Sequence, residues 1–185
     1  MTIDWPTTLL FQLTWHWERQ LRPRLDGLTD AEYLWEPVPG AWSIRPRSQA
    51  RTTISGGAGD LVAEFEQPEP SPAPVTTIAW RLGHILVGVL GARNASHFGW
   101  EPVDYFSKVY PATADQALAE LDTEYERWIA GVTGLSEEGL ARPIGPSEGE
   151  WAEHSYADLV LHIHRELIHH GAEIALLRDL YAHRS

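Results

Sequence analysis

The stretch His162-Ile163-His164-Arg165-Glu166-Leu167-Ile168-His169-His170-Gly171-Ala172-Glu173 sets four histidines and two carboxylates into an otherwise apolar helical pattern. At about 100° per residue, Glu166 and His170 fall one turn apart and point the same way, so they can share one ion. Ile163, Leu167, Ile174 and Leu177 bracket that direction, which places His170 within the buried face. A carboxylate and an imidazole turned toward a core are costly unless something satisfies them. A divalent cation does so while keeping both deprotonated. The pair needs a third ligand from elsewhere in the chain.

Working outward, Ser155-Tyr156-Ala157-Asp158 opens this helix, which runs to about Ala182. Three more long helices precede it. The first follows Asp4 and Pro6 to about Leu25, closed by Gly27, with Leu10, Trp17 and Leu21 on one stripe. The second is capped by Thr76 or Thr77 and reaches about His97; the third starts at the capping box Thr113-Ala114-Asp115-Gln116 and reaches about Val132. A short helix begins at Thr29-Asp30-Ala31-Glu32 and stops at Pro37 and Pro39. Between Trp42 and Pro74 the helical period disappears, which predicts a long connection with a small hairpin including Leu61-Val62-Ala63-Glu64-Phe65. The expectation is all-α: a four-helix bundle in one domain over residues 1–185, with that long connection between helices one and two.

A chain of 185 residues with 43% hydrophobic side chains can bury a proper core. Its net charge of -12 argues against binding a phosphate backbone, so nucleic acid is not an expected partner. No apolar run reaches membrane-spanning length, and Met1-Thr2-Ile3-Asp4-Trp5-Pro6 lacks the basic and apolar segments of a signal peptide. The reading is a cytoplasmic protein with no membrane partner. With no cysteine there is no disulfide, thiolate ligand or cysteine nucleophile, so thiol chemistry would have to use a cofactor's sulfur. Thirteen arginines stand against one lysine, Lys108. That balance matches a GC-rich bacterial genome, and many GC-rich actinobacteria use mycothiol as their small thiol.

His84 is the best third ligand. Thr77, Trp80, Val87, Gly88 and Gly91 lie on its side of the second helix, and the two glycines remove bulk where a pocket would open. His84, Glu166 and His170 form a two-histidine, one-carboxylate set with an open position, which suits catalytic zinc and is accepted by iron or nickel. Spacing alone leaves a second reading open, in which these histidines are solvated or satisfied within the core. Trp80 shares the face of His84 and can wall an apolar pocket. His162, one turn before Glu166, is the candidate acid or base. Glu173 either orients His169 or His170 or pairs with an arginine on the surface. His16 reads as packing between Trp15 and Trp17, and His97, His154, His164 and His183 read as surface residues.

Thr77-Ile78-Ala79-Trp80-Arg81-Leu82-Gly83-His84, and Gly27 to Glu32 followed by Pro39-Gly40-Ala41-Trp42-Ser43-Ile44, resemble segments of the DinB-like superfamily over nearly the whole chain. That superfamily includes bacillithiol S-transferases and mycothiol-dependent maleylpyruvate isomerases. The resemblance implies a bundle with one ligand on the second helix and two, four apart, on the fourth. Glu166 departs from the His-x-x-x-His of many members and is similar to the isomerase branch, so His84, Glu166 and His170 carry over as the ligand set. Ending the set at His169 instead would put Arg165 four residues earlier, and a guanidinium cannot ligate.

The resulting expectation is a divalent-metal-dependent thiol transferase or isomerase whose metal activates a small thiol such as mycothiol. Its partners are that thiol and an electrophilic substrate, and the resemblance extends to a homodimer. The competing reading is a non-catalytic metal- or small-molecule-binding stress-response protein. Metal-assisted hydrolysis ranks lower, since no His-Glu-x-x-His motif supplies a general base.

Overall fold

The computed structural model describes residues 3–184; Met1 and Thr2, which open the N-terminal stretch read above, and Ser185 lie outside them. Helix α1 starts where Asp4 accepts the N–H of Thr7 at 3.1 Å, with Pro6 in the first turn. It runs Trp5–His16, continues as a π-helical stretch Trp17–Leu21 and ends in the turn Arg22–Arg24. Gly27, at φ 71°, then redirects the chain. The buried stripe is Leu9, Leu13, Trp17, Leu21 and Leu25, whereas Leu10, expected on it, is only half-buried. A four-residue spacing drifts about 40° per step on an ideal α-helix. The wider π-helical turn takes up that drift and keeps the stripe on the core.

Helix α2, Asp30–Tyr33, is capped by Thr29, which accepts from the N–H of Glu32 at 3.3 Å. The Glu32 carboxylate instead binds Arg178 near the far end of the chain, at 2.6 and 3.2 Å.

The all-α expectation is corrected in the connection that follows, which folds as a three-stranded antiparallel sheet. Strands β1 (Ile44–Pro46), β2 (Ile54–Gly56) and β3 (Leu61–Phe65) lie in the order β1-β3-β2. The expected hairpin strand 61–65 is therefore central, with Ile44 opposite Ala63 and Ile54 opposite Phe65. Glu64, 1% exposed, ties the sheet together: it accepts from the N–H of Ser43 at 3.1 Å and of Arg51 at 2.7 Å, and pairs with Arg45 at 2.8 Å. A buried carboxylate with these partners is satisfied, but in sequence it breaks the apolar signal of the strand.

Helix α3 is capped by Thr77 and runs Ile78–His84, through a π-helical stretch Ile85–Gly91, to Ala92–Phe98. Helix α4 spans Ala114–Thr133 behind the Thr113 cap. The short helix α5, Glu137–Ala141, and a 3-10 segment, Pro146–Trp151, were not expected. Helix α6 spans Tyr156–Ala182, opened by a reciprocal capping box between Ser155 and Asp158.

Side-chain pairs fix how the four long helices run. Trp17 stacks on Tyr125 at 3.8 Å and Arg22 binds Asp122, so α1 and α4 are antiparallel. Asn94 binds Glu124, and Gly131 lets the Phe98 ring press on the α4 backbone, so α3 and α4 are parallel. His84 meets His170 while His97 meets Tyr156, so α3 and α6 are antiparallel. Leu21 packs on Gly171 and Arg24 binds Asp179, so α1 and α6 are parallel. Trp128, Leu13, Leu82, Leu121 and Ile163 fill the space between them. The sheet packs on α3, with Ile44 against Gly83 and the Trp80 indole N–H donating to the carbonyl of Glu64 at 2.9 Å. Among the described residues no helix is long and apolar enough to cross a membrane.

Candidate metal centre

The antiparallel crossing of α3 and α6 brings His84 to His170, with ring centroids 4.7 Å apart and planes at 89°. One turn back on α6, Glu166 Oε2 lies 3.5 Å from His170 Nε2. His84 and Glu166 thus each lie against His170, but the three donor atoms are not mutually within the 4.8 Å that the neighbouring His169, His170 and Glu173 reach. His170 is 7% exposed, as the sequence predicts, because it falls between Leu167 and Ile174, which are fully buried.

Each imidazole is held through Nδ1 by an oxygen. His84 Nδ1 is 2.7 Å from the Tyr105 hydroxyl, and His170 Nδ1 is 2.7 Å from Glu173 Oε2. The same Glu173 oxygen pairs with Arg81 Nε at 2.9 Å. Glu173 therefore orients His170, as expected, but the arginine it pairs with is the largely buried Arg81 rather than a surface one. Burial, reinforced by the His170 imidazole and the Arg81 guanidinium, pulls His84 down to about 4, so its ring is neutral at physiological pH. A neutral imidazole whose Nδ1–H donates to the Tyr105 hydroxyl presents Nε2 as its free lone pair, the form in which histidine ligates.

Trp80 stands parallel to the His84 ring, 11° off and 5.7 Å away, and packs with Trp42 and Phe65 at 5.9 Å each. Trp80 on α3, Phe65 on β3 and Trp42 just before β1 thus form one aromatic group beside the His84 ring. Gly88 makes room for the Tyr105 hydroxyl, which a Cβ would overlap, rather than for the expected pocket. Gly91 does not: it faces Val103 and the carbonyl of Leu86, away from His84.

His162 lies 3.6 Å from Glu166 Oε1 and 2.5 Å from an Arg165 guanidinium nitrogen, its side chain 41% exposed. Partial burial lowers its pKa. Arg165 also reaches Glu166, at 3.2 Å. His162, His154, Asp158, Arg93 and Trp151 line a cavity of about 530 Å³ between the 3-10 segment and α6.

A second donor set overlaps the first. Ligand atoms of His169, His170 and Glu173 lie mutually within 4.8 Å. The His169 side chain is 62% exposed, and Glu173 is already committed to Arg81 and to the Nδ1 of His170.

Two of the supposed surface histidines are interior. The His97 side chain, 1% exposed, lies between Glu148 at 2.9 Å and the Tyr156 hydroxyl at 3.1 Å. His164 is 4% exposed beside Trp128 and, by burial alone, is pulled down to about 4. Its place on the buried face, between Val160 and Leu167, is the signal that the sequence reading passed over. Tyr105 was also missed. It sits in the aperiodic segment 99–113, and the bare backbone at Gly88 is its one trace in the sequence.

The DinB superfamily model matches residues 61–174, from the central strand β3 to the last turns of the site helix. No curated protein matches the chain, and no solved structure does.

Proposed function

The chain belongs to the DinB superfamily, and from that premise we propose a four-helix-bundle enzyme that holds one divalent ion on His84, Glu166 and His170 and acts on a small thiol. The reaction class is thiol transfer or thiol-assisted isomerisation, with mycothiol as the representative thiol and an electrophile as its partner. The supporting observation is the matched pair of imidazoles, 4.7 Å apart, each held at Nδ1 by an oxygen, with a carboxylate 3.5 Å from the remaining nitrogen of His170. The overlapping set on His169 and Glu173 ranks second, because an ion there would have to displace Arg81 from Glu173.

Two imidazoles and one carboxylate suit zinc, and nickel or iron(II) accept the same donors. An ion held by them supplies Lewis acidity that lowers the pKa of a thiol beside it. The chain's own groups prepare the place. His84 stays neutral well below pH 7 and so keeps its lone pair. Glu166 contributes one negative charge against the ion. Trp80 presents an apolar wall to the thiol or to the electrophile, and with Phe65 and Trp42 it keeps water from one side of His84. His162, half-exposed and within 3.6 Å of Glu166, carries protons between the site and solvent. The chain has no cysteine, so no protein thiol competes for the ion.

The test is elemental mass spectrometry on untagged protein, followed by thiol consumption with mycothiol and a Michael acceptor. One divalent ion per chain, lost in His84→Ala and in His170→Ala together with thiol turnover, is expected. Retention of the ion in both variants would sink the ligand assignment, and a bound ion without turnover would favour the non-catalytic binding protein.

A further inference from the structure

We propose that Tyr105 is a positioning residue that sets the His84 imidazole for the ion, an inference resting on the ion-binding reading above. Its hydroxyl lies 2.7 Å from His84 Nδ1, and the two rings are within 10° of parallel at 6.3 Å. With Trp80 also parallel to His84, 11° off, the imidazole plane is matched by two aromatic planes and tied at one nitrogen. Metal-bound histidines need this kind of support: an oxygen acceptor on the second ring nitrogen fixes the proton there and leaves the other nitrogen free to ligate.

Tyr105 is itself held firmly. Tyr110 donates its hydroxyl to the Tyr105 carbonyl at 3.2 Å, and the Phe65 ring meets the Tyr105 ring edge-on at 5.1 Å. The backbone of Gly56 lies so close that a Cβ there would come within 2.6 Å of the same carbonyl. At the other end, a Cβ on Gly88 would overlap the hydroxyl and stand 3.2 Å from the His84 ring. The hydrogen bond therefore exists because residue 88 has no side chain. The Tyr105 hydroxyl serves as a neutral partner to His84, where Glu173 serves His170 as a carboxylate.

The geometry predicts coupling between two residues 17 positions apart in sequence. Zinc affinity is measured by competition with a chromogenic chelator, and the absorption of the cobalt(II) form is recorded, for wild type, Tyr105→Phe, Gly88→Ala and the double variant. Tyr105→Phe keeps the ring and its packing, so circular dichroism stays unchanged while zinc affinity falls about 10- to 100-fold and the cobalt bands shift. Gly88→Ala weakens zinc at least as much by pushing the hydroxyl aside. In the double variant the methyl meets no hydroxyl and only its 3.2 Å approach to the His84 ring remains, so Gly88→Ala costs much less there than in the wild type, a marked departure from additivity.

Wild-type affinity and spectrum in Tyr105→Phe, or strictly additive losses, would overturn the role of Tyr105 while leaving the ion site standing. A wild type that takes up neither zinc nor cobalt would overturn the ion-binding reading, and the Tyr105 role with it.

Discussion

Replacing Arg178 by Met should cost about 3 kcal/mol of stability, the lower end of what breaking a buried ion pair costs. The Arg178 guanidinium meets Glu32 at 2.6 and 3.2 Å and donates to the carbonyls of Arg24 and Asp26 at 2.5 and 2.9 Å. One side chain thus joins α6 to α2 and covers free carbonyls at the end of α1. The Glu32 side chain is 7% exposed and that of Arg178 18% exposed. In Arg178→Met the carboxylate stays buried with no counter-charge, which is the expensive case. In Glu32→Gln the arginine keeps its two carbonyls and some water, so that loss should be about half as large, near 1–2 kcal/mol. For a chain of this length 1 kcal/mol corresponds to about 2–4 °C, so Arg178→Met should melt about 6–12 °C below wild type. Urea unfolding followed by circular dichroism reads both variants, with a lowered midpoint and an unchanged slope. A loss under 1 kcal/mol for Arg178→Met, or a larger loss for Glu32→Gln, would refute the reasoning.

Glu148 sits between His97, at 2.9 Å, and Arg93, at 3.1 Å, and the His97 hydrogen bond leads in holding its pKa below 4.5. Because the folded value lies below the unfolded one, this contribution is complete above pH 4.5 and disappears as pH falls through the folded value. Glu148→Gln should therefore be less stable than wild type at pH 7 and converge with it as pH falls through the folded value, as urea titrations from pH 7 down into the acid range would show; a constant difference would contradict this. His164 is 4% exposed, and its Nε2 finds no hydrogen-bond partner among the described residues. His164→Leu should accordingly stabilise the chain by about 1–2 kcal/mol at pH 7. A fall in urea midpoint would mean that the imidazole is satisfied after all.

The long helices were legible because they carry redundant signals. Asp4, Thr77, Thr113 and Ser155 each cap the helix that the sequence predicts they open. The DinB resemblance holds over residues 61–174, which take in Thr77 to His84 and the Glu166-x-x-x-His170 spacing, while Gly27 to Glu32 and Pro39 to Ile44, also part of it, lie outside the match. The sheet was hidden for a physical reason. Two of its strands are three residues long, too short for alternation to register, and its central strand carries the buried Glu64. In the site, ligands on regular helices could be placed by angle alone, which is how His84 and His170 were found facing the interior. Tyr105 could not be, because a residue in a 15-residue aperiodic segment has no angle to reason from.

The parallel packing of the first and last long helices has a consequence for how the chain is made. Arg24 and Asp179, which bind each other, are 155 positions apart. At about 5–20 residues per second, a ribosome takes about 8–30 s to deliver the second after the first. Throughout that interval α1 has emerged without its neighbour α6, and its stripe from Leu9 to Leu25 lacks part of its cover. During synthesis the N-terminal helix is thus the segment that waits longest for its cover, and His170 can join His84 only once the last long helix has emerged.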